Sequence, residues 1–440
     1  MKTRYLIYIA AACLLLSCGK SERPEVPGAP GSYTIVCSEE LTPGGFADYA
    51  YDDSDTAWGK FHQRFMGALN AIVKAKNMIL GSSMAVEAGH PGANWGYRKY
   101  IINYSTADAQ GKPVKLSEVV IVPIGKDWNH KPSKVFLCSH YTIFADYERP
   151  TGEFPEYLIG TAASDAVFIC SDLEGYGITA DRPHPCLANM QIARQIVDGA
   201  FAALNLLEDE GIQLKKNFHL YGGGYSLGGA YALAVHKYIE TVCTPEEQAR
   251  LHLEATYCGG GPYSPLCSFQ WYIKQESVYY TCILPLLIEG MVYSFPECFK
   301  GIKTEDYFTR EFIDAGILDM VRNKQYSSSY LRPYILEKVG DRVDGIVSQE
   351  ALTPGSRIRT ALETALAECN VSEGWSPVKP VVLYHSEEDQ YVPFENAKLA
   401  LEGLSEGNVK LVKLPNLHPD DPHIGGGIIY YLKNIISGLE

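Results

Sequence analysis

The feature that most constrains this fold is a glycine-rich turn between a predicted strand and a predicted helix. The segment FHLY (218–221) is typical of a strand, and LGGAYALAVHKYI (227–239) is typical of a helix that packs closely on a sheet. Between them, Gly224 and Gly228 flank Ser226 in the pattern Gly-x-Ser-x-Gly. Small neighbours are needed at such a turn, because larger side chains would collide with the strand and the helix. The turn therefore predicts that Ser226 is a nucleophile.

A phosphate-binding loop is the alternative interpretation of this turn. A P-loop requires a lysine after its last glycine, and residues 229–232 (GAYA) contain none. The first predicted α/β unit also lacks the glycine pattern of a dinucleotide-binding turn. The sequence therefore favours the nucleophile.

Short apolar runs alternate with amphipathic segments along the chain. KVFLCSH (134–140) and DAVFICSDLEGYG (165–177) indicate buried parallel strands, and a helix is expected over 189–211. Before them, the segments 97–105 and 114–123 predict a hairpin. We expect an α/β fold, with a mostly parallel central sheet flanked by helices.

Residues 262–375 interrupt this alternation with an aromatic-rich, mostly helical pattern. We expect a mainly helical cap or lid there, with Trp271 and Tyr279 shaping a substrate pocket. The apolar segment ILPLLIEGMVYSF (283–295) also suits contact with a membrane, but Glu289 and other residues interrupt it. Packing of the cap on the core is the favoured interpretation. After the cap, VKPVVLYHSEED (378–389) resumes the strand pattern.

A serine hydroxyl becomes a good nucleophile when a base accepts its proton and a carboxylate orients that base. In this architecture both partners follow the serine in the chain. The strand that ends at 385 is followed by Glu387, Glu388 and Asp389. Asp389 is favoured as the acid, because the Val-Pro that follows suits a tight, buried exit from the strand. Glu387 and Glu388 are expected to be solvated.

Two histidines in the loop after the last predicted strand are candidates for the base. His423 is favoured over His418, because it precedes the glycines 425–427, which allow close approach to the sheet. A metal site made of His418, Asp420, Asp421 and His423 is an alternative. No cysteine or third histidine stands at ligand spacing to support it.

The order of these parts resembles an α/β-hydrolase, and several stretches are similar to the secretory lipases and related bacterial esterases. The similarity covers roughly residues 95–262 and 376–440. Four segments carry the similarity. The hairpin YSTADAQGKPVKLSEVVIVP resembles the family's opening strands, and GGGYSLGGA resembles its nucleophile turn. FICSDLEGYG is similar to the family's P-D-Y-x-G-x-G segment, and SEEDQYVP is similar to its G-x-x-D-x-x-V-P acid loop.

The resemblance implies an oxyanion hole made of two backbone N–H groups, those of Leu227 and Thr142. The chain departs from the family pattern at two positions. Ser386 replaces the glycine of the acid loop, and Tyr141 stands where the family tends to have glycine. Asp172 in FICSDLEGYG is interpreted as structural and not catalytic.

The N-terminus predicts export and a lipid anchor. MKTRYLIYIAAACLLLSCGK has basic residues, an apolar run and then Leu-Leu-Ser-Cys, which looks like a bacterial lipobox ending at Cys18. A plain signal peptide with a chance cysteine is the alternative. The Pro-, Gly- and Ser-rich segment after Cys18 is expected to be a tether. The predicted location is that of a bacterial lipoprotein, on the outer membrane.

Charge and cysteine content narrow the function further. A net charge of −14 argues against a nucleic-acid partner, because phosphate binding needs clustered lysine and arginine. Exported cysteines can oxidise, and Cys258, Cys267, Cys282 and Cys298 cluster in one region. One or two disulfides there and free buried thiols are equal alternatives.

Together these features predict a membrane-tethered carboxylic ester hydrolase that needs no cofactor or metal. Ser226, His423 and Asp389 form its predicted triad. Its predicted substrate is a small-molecule ester, and the sequence does not decide between a lipid and an acylated carbohydrate. A serine exopeptidase of the prolyl-oligopeptidase kind uses the same triad, but it normally carries a large N-terminal β-domain. A non-catalytic lipoprotein that binds glycan or lipid has no need of a complete triad.

The expected organisation has six parts. They are a signal peptide (1–17), a tether (18–33), an N-terminal segment packed on the core (34–94, with a helix over 57–80), a first core part (95–261), the cap (262–375) and a second core part (376–440).

Overall fold

A computed structural model describes residues 31–41, 96–124, 131–152 and 166–434, apart from 417, 419 and 432. The predicted signal peptide, most of the tether including Cys18, and the helix expected over 57–80 lie outside the described residues.

Within the described residues, nine strands form one mixed sheet in the order β1-β2-β3-β5-β4-β6-β7-β8-β9. The pairs among β1, β2, β3 and β5 are antiparallel, and every pair from β5 to β9 along the rest of the sheet is parallel. The strands are β1 Tyr33–Leu41, β2 Gly96–Ala107, β3 Pro113–Ile124, β4 Lys134–Ser139, β5 Ala166–Ser171, β6 His219–Tyr225, β7 Leu253–Gly259, β8 Val381–Ser386 and β9 Val409–Leu414.

Helices flank this sheet and fill the chain between β7 and β8. Those around the sheet are α1 Asn189–Asp209, α2 Leu227–Thr241, α3 Pro245–Leu251, α12 Glu395–Gly403 and α13 Pro422–Tyr431. Those between β7 and β8 are α4 Pro265–Tyr272, α5 Ile283–Ser294, α6 Arg310–Asp314, α7 Ile317–Asn323, α8 Ser328–Lys338, α9 Val343–Ile346, α10 Gln349–Leu352 and α11 Arg357–Glu368. The predicted fold class, a mostly parallel sheet flanked by helices with a helical insertion, is confirmed.

The hydrophobic core lies on both faces of the sheet. In β4, Val135 and Leu137 belong to one buried cluster, whereas Phe136 belongs to the other. Neighbouring residues of a strand point to opposite faces, so this division assigns one cluster to each face. Every residue of β5 and of β8 is buried, as expected for parallel strands covered on both sides.

Strand β1 was missed by sequence analysis, which assigned residues 34–94 only to a segment packed on the core. It pairs with β2 in antiparallel fashion, and the register shifts between Ile35 and Cys37. A bulge of this kind breaks the two-residue period by which a strand is detected. The hydroxyl of Tyr33 donates to Asp209 Oδ2 at 2.7 Å and so ties β1 to the end of α1.

The helical insertion between β7 and β8 is attached to the core by polar contacts. The ammonium group of Lys324 donates to the carbonyl oxygens of Gly175, Ala180 and Arg182, with 3.0 Å to Ala180. The hydroxyl of Tyr293 donates to Glu174 Oε1 at 2.5 Å. Burial lowers the pKa of Lys324 to about 8.

Two sequence-based alternatives are settled within the described residues. Cys258, Cys267, Cys282 and Cys298 all carry free thiols, so the alternative of disulfides among them is wrong. Most of α5, the apolar helix of the insertion, is buried in the protein. The described part of the chain contains no helix long and apolar enough to cross a membrane.

Candidate active site

Ser226 occupies a strained turn between β6 and α2. Its backbone angles are φ +58° and ψ −127°, an unusual conformation for a residue with a side chain. The N–H of Ser226 donates to the carbonyl oxygen of Gly259 at 2.8 Å, which fixes the turn against β7. This geometry presents the hydroxyl at the carboxyl end of the parallel strands.

The glycines on either side of Ser226 are required by close contacts with neighbouring backbone. A Cβ on Gly224 would lie 2.4 Å from the carbonyl oxygens of Ser139 and Gly228. A Cβ on Gly228 would lie 2.0 Å from the same oxygen of Ser139 and 2.7 Å from that of His140. Much of the collision that the sequence predicts is therefore with the end of β4, the neighbouring strand.

Three side chains from separate elements meet at this turn. His423, in the first turn of α13, has its Nε2 atom 2.9 Å from Ser226 Oγ. Its Nδ1 atom is 2.6 Å from Oδ2 of Asp389, which lies in the loop after β8. His423 is only 3% exposed. An ionised carboxylate only accepts hydrogen bonds, so Nδ1 carries the proton and Nε2 is left to accept the serine hydroxyl.

The carboxylate of Asp389 is held ionised by its surroundings. Its Oδ1 atom accepts the N–H groups of Tyr391 and Val392, each at 2.9 Å. Burial raises the pKa of Asp389, but its contacts with His423 and His385 and the hydrogen bond from the Val392 N–H lower it by more, so the carboxyl titrates below its ordinary range. The acid therefore stays charged at neutral pH and fixes the tautomer of His423.

His385, at the end of β8, is a member of this site that sequence reasoning missed. Its Nε2 atom is 3.0 Å from the carbonyl oxygen of Val392 and 3.5 Å from Asp389 Oδ2. Burial lowers the pKa of His385, so the ring is neutral and donates from Nε2. Its place four residues before Asp389 was visible in the sequence, but nothing there indicated that the ring turns back to the acid.

The other sequence candidates point elsewhere. Glu387 pairs with Lys413 at 2.8 Å, and Glu388 accepts a hydrogen bond from Asn416. His418 is exposed, and its backbone N–H donates to Asn416 Oδ1 at 3.2 Å. The structure thus brings together Ser226 and the favoured acid and base, and leaves these alternatives outside the contact.

The two predicted oxyanion donors lie at the start of α2 and in the loop after β4. Leu227 is the first residue of α2, so its N–H has no carbonyl partner one turn earlier in the helix. Thr142 lies in the loop after β4. The Tyr176 hydroxyl holds that loop by donating to the carbonyl oxygen of Ile143 at 2.6 Å. The same loop presents the carbonyl of His140 to Gly228, next to the helix start.

Asp421, one of the residues considered for metal binding, and Asp172 both have structural partners. Asp421 Oδ1 accepts the N–H of Ile424 at 3.1 Å, the geometry of a helix N-cap at the start of α13. Within the described ranges there is no group of three or more residues able to hold a metal ion. Asp172 is buried and accepts from Ser117 Oγ at 2.5 Å and Thr151 N at 2.8 Å, while burial raises its pKa to about 6.

Comparison with known proteins gives the fold. The sequence matches no protein-family model and no curated protein. The ligand-bound form of the rice cell wall degrading esterase LipA from Xanthomonas oryzae is 18% identical, with a TM-score of 0.68 over 94% of this chain and 100% of that chain. Candida antarctica lipase A is 17% identical, with a TM-score of 0.52 over 73% of this chain and 72% of that chain. The chain therefore has the α/β-hydrolase fold.

Proposed function

We propose that this protein is a carboxylic ester hydrolase that works through an acyl-enzyme. Ser226 is the nucleophile, His423 the general base and Asp389 the residue that orients the base. The observation that carries the proposal is the unbroken line of contacts from serine to imidazole to carboxylate, at 2.9 and 2.6 Å. The fold is shared with an esterase and a lipase, which supports the same reaction class.

The proposed reaction has two halves. In acylation, Ser226 Oγ forms a bond to the ester carbonyl carbon while its proton passes to Nε2 of His423. The tetrahedral oxyanion accepts hydrogen bonds from the N–H groups of Leu227 and Thr142. Cleavage of the carbon–oxygen bond releases the alcohol, which takes the proton from His423. In deacylation, water repeats the sequence and releases the acid.

The proposed substrates are small-molecule esters, including lipids and acylated carbohydrates. The predicted anchor at Cys18 would hold the enzyme at a membrane, as an outer-membrane lipoprotein. A panel of p-nitrophenyl esters with acyl chains of increasing length measures the preference, because hydrolysis of each releases the same chromophore. A parallel panel of p-nitroanilides tests peptide-like amides.

Replacement of the nucleophile tests the proposal directly. Ser226→Ala removes one oxygen, and we expect ester hydrolysis to fall by at least about a thousandfold. Labelling by a fluorophosphonate should also disappear, while the thermal unfolding curve remains cooperative. The matched control is Ser405→Ala, which removes an exposed hydroxyl after α12 and should label like the wild type. Wild-type turnover in Ser226→Ala would exclude the triad.

A further inference from the structure

A row of stacked side chains joins the helical insertion to the candidate base. We define the aromatic column as Arg332, Tyr279, Tyr280, Tyr391 and His423. The ring centroids of Tyr391 and His423 are 4.5 Å apart. Tyr280 stacks on Tyr391 at 4.8 Å with an angle of 6° between planes, and Tyr279 does so at 5.2 Å and 25°. The guanidinium carbon of Arg332 lies 3.3 Å from the ring centroid of Tyr279.

Tyr391 is the central member of the column, because it contacts the acid, the base and the residue that caps the helix carrying the base. Its N–H donates to Asp389 Oδ1 at 2.9 Å, and its ring lies against His423. Its hydroxyl donates to Asp421 Oδ2 at 2.9 Å. Asp421 also caps α13 through the N–H of Ile424, so the hydroxyl fixes the start of the helix that carries His423.

The helical insertion supplies the outer members of the column. Tyr279 and Tyr280 precede α5, and Arg332 lies on α8. Tyr280 also makes an edge-to-face contact with Phe144, at 6.1 Å between ring centroids. Phe144 belongs to the loop after β4 that carries Thr142. The insertion thus touches both the acid loop and the loop of the predicted oxyanion donor.

The contacts within the column argue against a role as a binding platform for a sugar or an aryl group. Such ligands stack on an open ring face. Tyr391 is in contact with three rings, and Tyr279 lies between Tyr391 and the guanidinium group of Arg332. Stacked rings and a cation above a ring attract one another, so the column is held together by contacts within the protein, although Tyr279 itself is 36% exposed.

We infer that the helical insertion holds the imidazole of His423 in line with Ser226 through the aromatic column. Tyr391 and Tyr279 are then positioning residues, which act on the base and not on the substrate. This inference rests on the proposed function, because it takes His423 as the base. A displacement of about 1 Å in a reacting group can lower a rate on the order of a hundredfold, so loss of the column should reduce turnover.

Variants of Tyr279 separate positioning from substrate recognition. Tyr279→Leu removes a ring at the outer end of the column, and we expect kcat to fall about tenfold for short and long acyl esters alike. KM should change by less than about twofold, because substrate contacts are kept. The rate of fluorophosphonate labelling should fall in parallel with kcat. Tyr279→Phe keeps the ring and should restore both rates.

The matched control is Tyr330→Leu. Tyr330 also lies in the insertion, is 52% exposed and stacks on Tyr326 and Tyr334, outside the column. This variant should keep the kcat, KM and labelling rate of the wild type.

A proton NMR signal reports the position of the imidazole without substrate. The proton between His423 Nδ1 and Asp389 Oδ2, across 2.6 Å, should resonate far downfield. We expect the signal in the wild type, in Tyr279→Phe and in Tyr330→Leu, and we expect it to be broadened or lost in Tyr279→Leu. If Tyr279→Leu does not fold, Arg332→Met replaces it, since it shortens the column and leaves every ring.

Two results would overturn the inference. One is a Tyr279→Leu variant with altered KM or chain-length preference but unchanged kcat and NMR signal, which would make Tyr279 a substrate contact. The other is Tyr279→Leu, or Arg332→Met in its place, behaving like Tyr330→Leu. Failure of the proposed function looks different, because the wild type itself would then escape fluorophosphonate labelling.

Discussion

At the residue scale, the segment that runs from the end of β9 into α13 carries two histidines in opposite surroundings. His423 is buried between Asp389 and Ser226, whereas His418 is exposed and contacts neither. We expect His423→Ala to lower kcat/KM by about three to four orders of magnitude, because the variant loses the imidazole that contacts Ser226 Oγ and accepts its proton. His418→Ala should stay near the wild-type value. Steady-state kinetics on one p-nitrophenyl ester compares the pair.

The reverse order of effects would show that the loop is arranged differently during turnover. A large loss in both variants, with both proteins folded by circular dichroism, would instead indicate that the whole loop supports the base. Only a large, selective loss at His423 agrees with the contacts seen here.

The residues proposed for chemistry were predictable because each sits in a short local pattern. Ser226 lies in a glycine-flanked turn, and Asp389 precedes a Val-Pro exit from a strand. The supporting residues His385 and Tyr391 were not predictable. The role of Tyr391 depends on rings from segments far apart in the chain. That of His385 depends on how the loop after β8 folds back over its ring, which no residue pattern encodes.

At the element scale, the turn from β6 into α2 requires glycine, because an added side chain would collide with neighbouring backbone. A Cβ at Gly228 would lie 2.0 Å from the Ser139 carbonyl oxygen, which belongs to backbone that cannot rotate away. We expect Gly228→Ala to lower the free energy of unfolding by about 1 to 3 kcal/mol. It should also lower turnover, since the displaced backbone leads into the loop of Thr142. Urea unfolding and ester hydrolysis measure the two effects.

Gly345→Ala is the matched control for this substitution. Gly345 lies in α9, where the nearest atom to an added Cβ is the Val339 carbonyl oxygen at an ordinary 3.4 Å. Alanine is the better helix former, so the control should be neutral or slightly stabilising. A Gly228→Ala variant as stable as Gly345→Ala, with both near the wild type, would mean that the close contact at Gly228 relaxes without cost.

The elements themselves were largely predictable from periodicity, and the exceptions have physical causes. Strands β4, β5 and β8 are short apolar runs, and α1 has a clear amphipathic pattern. Strand β1 escaped detection because its bulge breaks the alternation of side chains. The order of strands in the sheet was not predicted, because no single segment encodes which strands lie side by side.

At the scale of the whole molecule, Lys324 joins the insertion to the core. Burial of its charged ammonium group lowers the free energy of unfolding by an amount that depends on pH. Burial lowers its pKa from 10.5 to about 8, so the folded protein holds this proton less tightly than the unfolded chain. Below pH 8 both states are protonated and the full cost is present. Between about pH 8 and 10.5 only the unfolded chain keeps the proton, so rising pH favours folding.

We therefore expect wild type to gain stability relative to Lys324→Met as pH rises through that window, by roughly 1 to 3 kcal/mol. Urea unfolding of both proteins at several pH values, with reductant to protect the thiols, gives the difference. The comparison removes other titrating groups, because both proteins share them. A difference that is constant or falls with pH would contradict the burial of a charged lysine at this contact.

The proposed anchor is a second property of the whole molecule. Cys18 should carry several acyl chains, which bind a membrane durably where one chain binds only weakly. Wild-type protein should fractionate with membranes, and Cys18→Ser should be soluble or unprocessed. The ester hydrolase activity of purified protein should be equal in both. A wild type that is cleaved but soluble would show that the protein is secreted without a lipid.

The free thiols of the protein make its local opening measurable without any introduced cysteine. Cys258 lies in β7, whereas Cys282 and Cys369 lie in the insertion, and all three are buried. Burial raises the pKa of Cys282 and of Cys369 to about 12, so neither reacts as a thiolate while its surroundings stay closed. Their alkylation rates, resolved by mass spectrometry, therefore report how often each region opens. The chain therefore contains a natural probe of opening in the sheet, Cys258, and two in the insertion, Cys282 and Cys369.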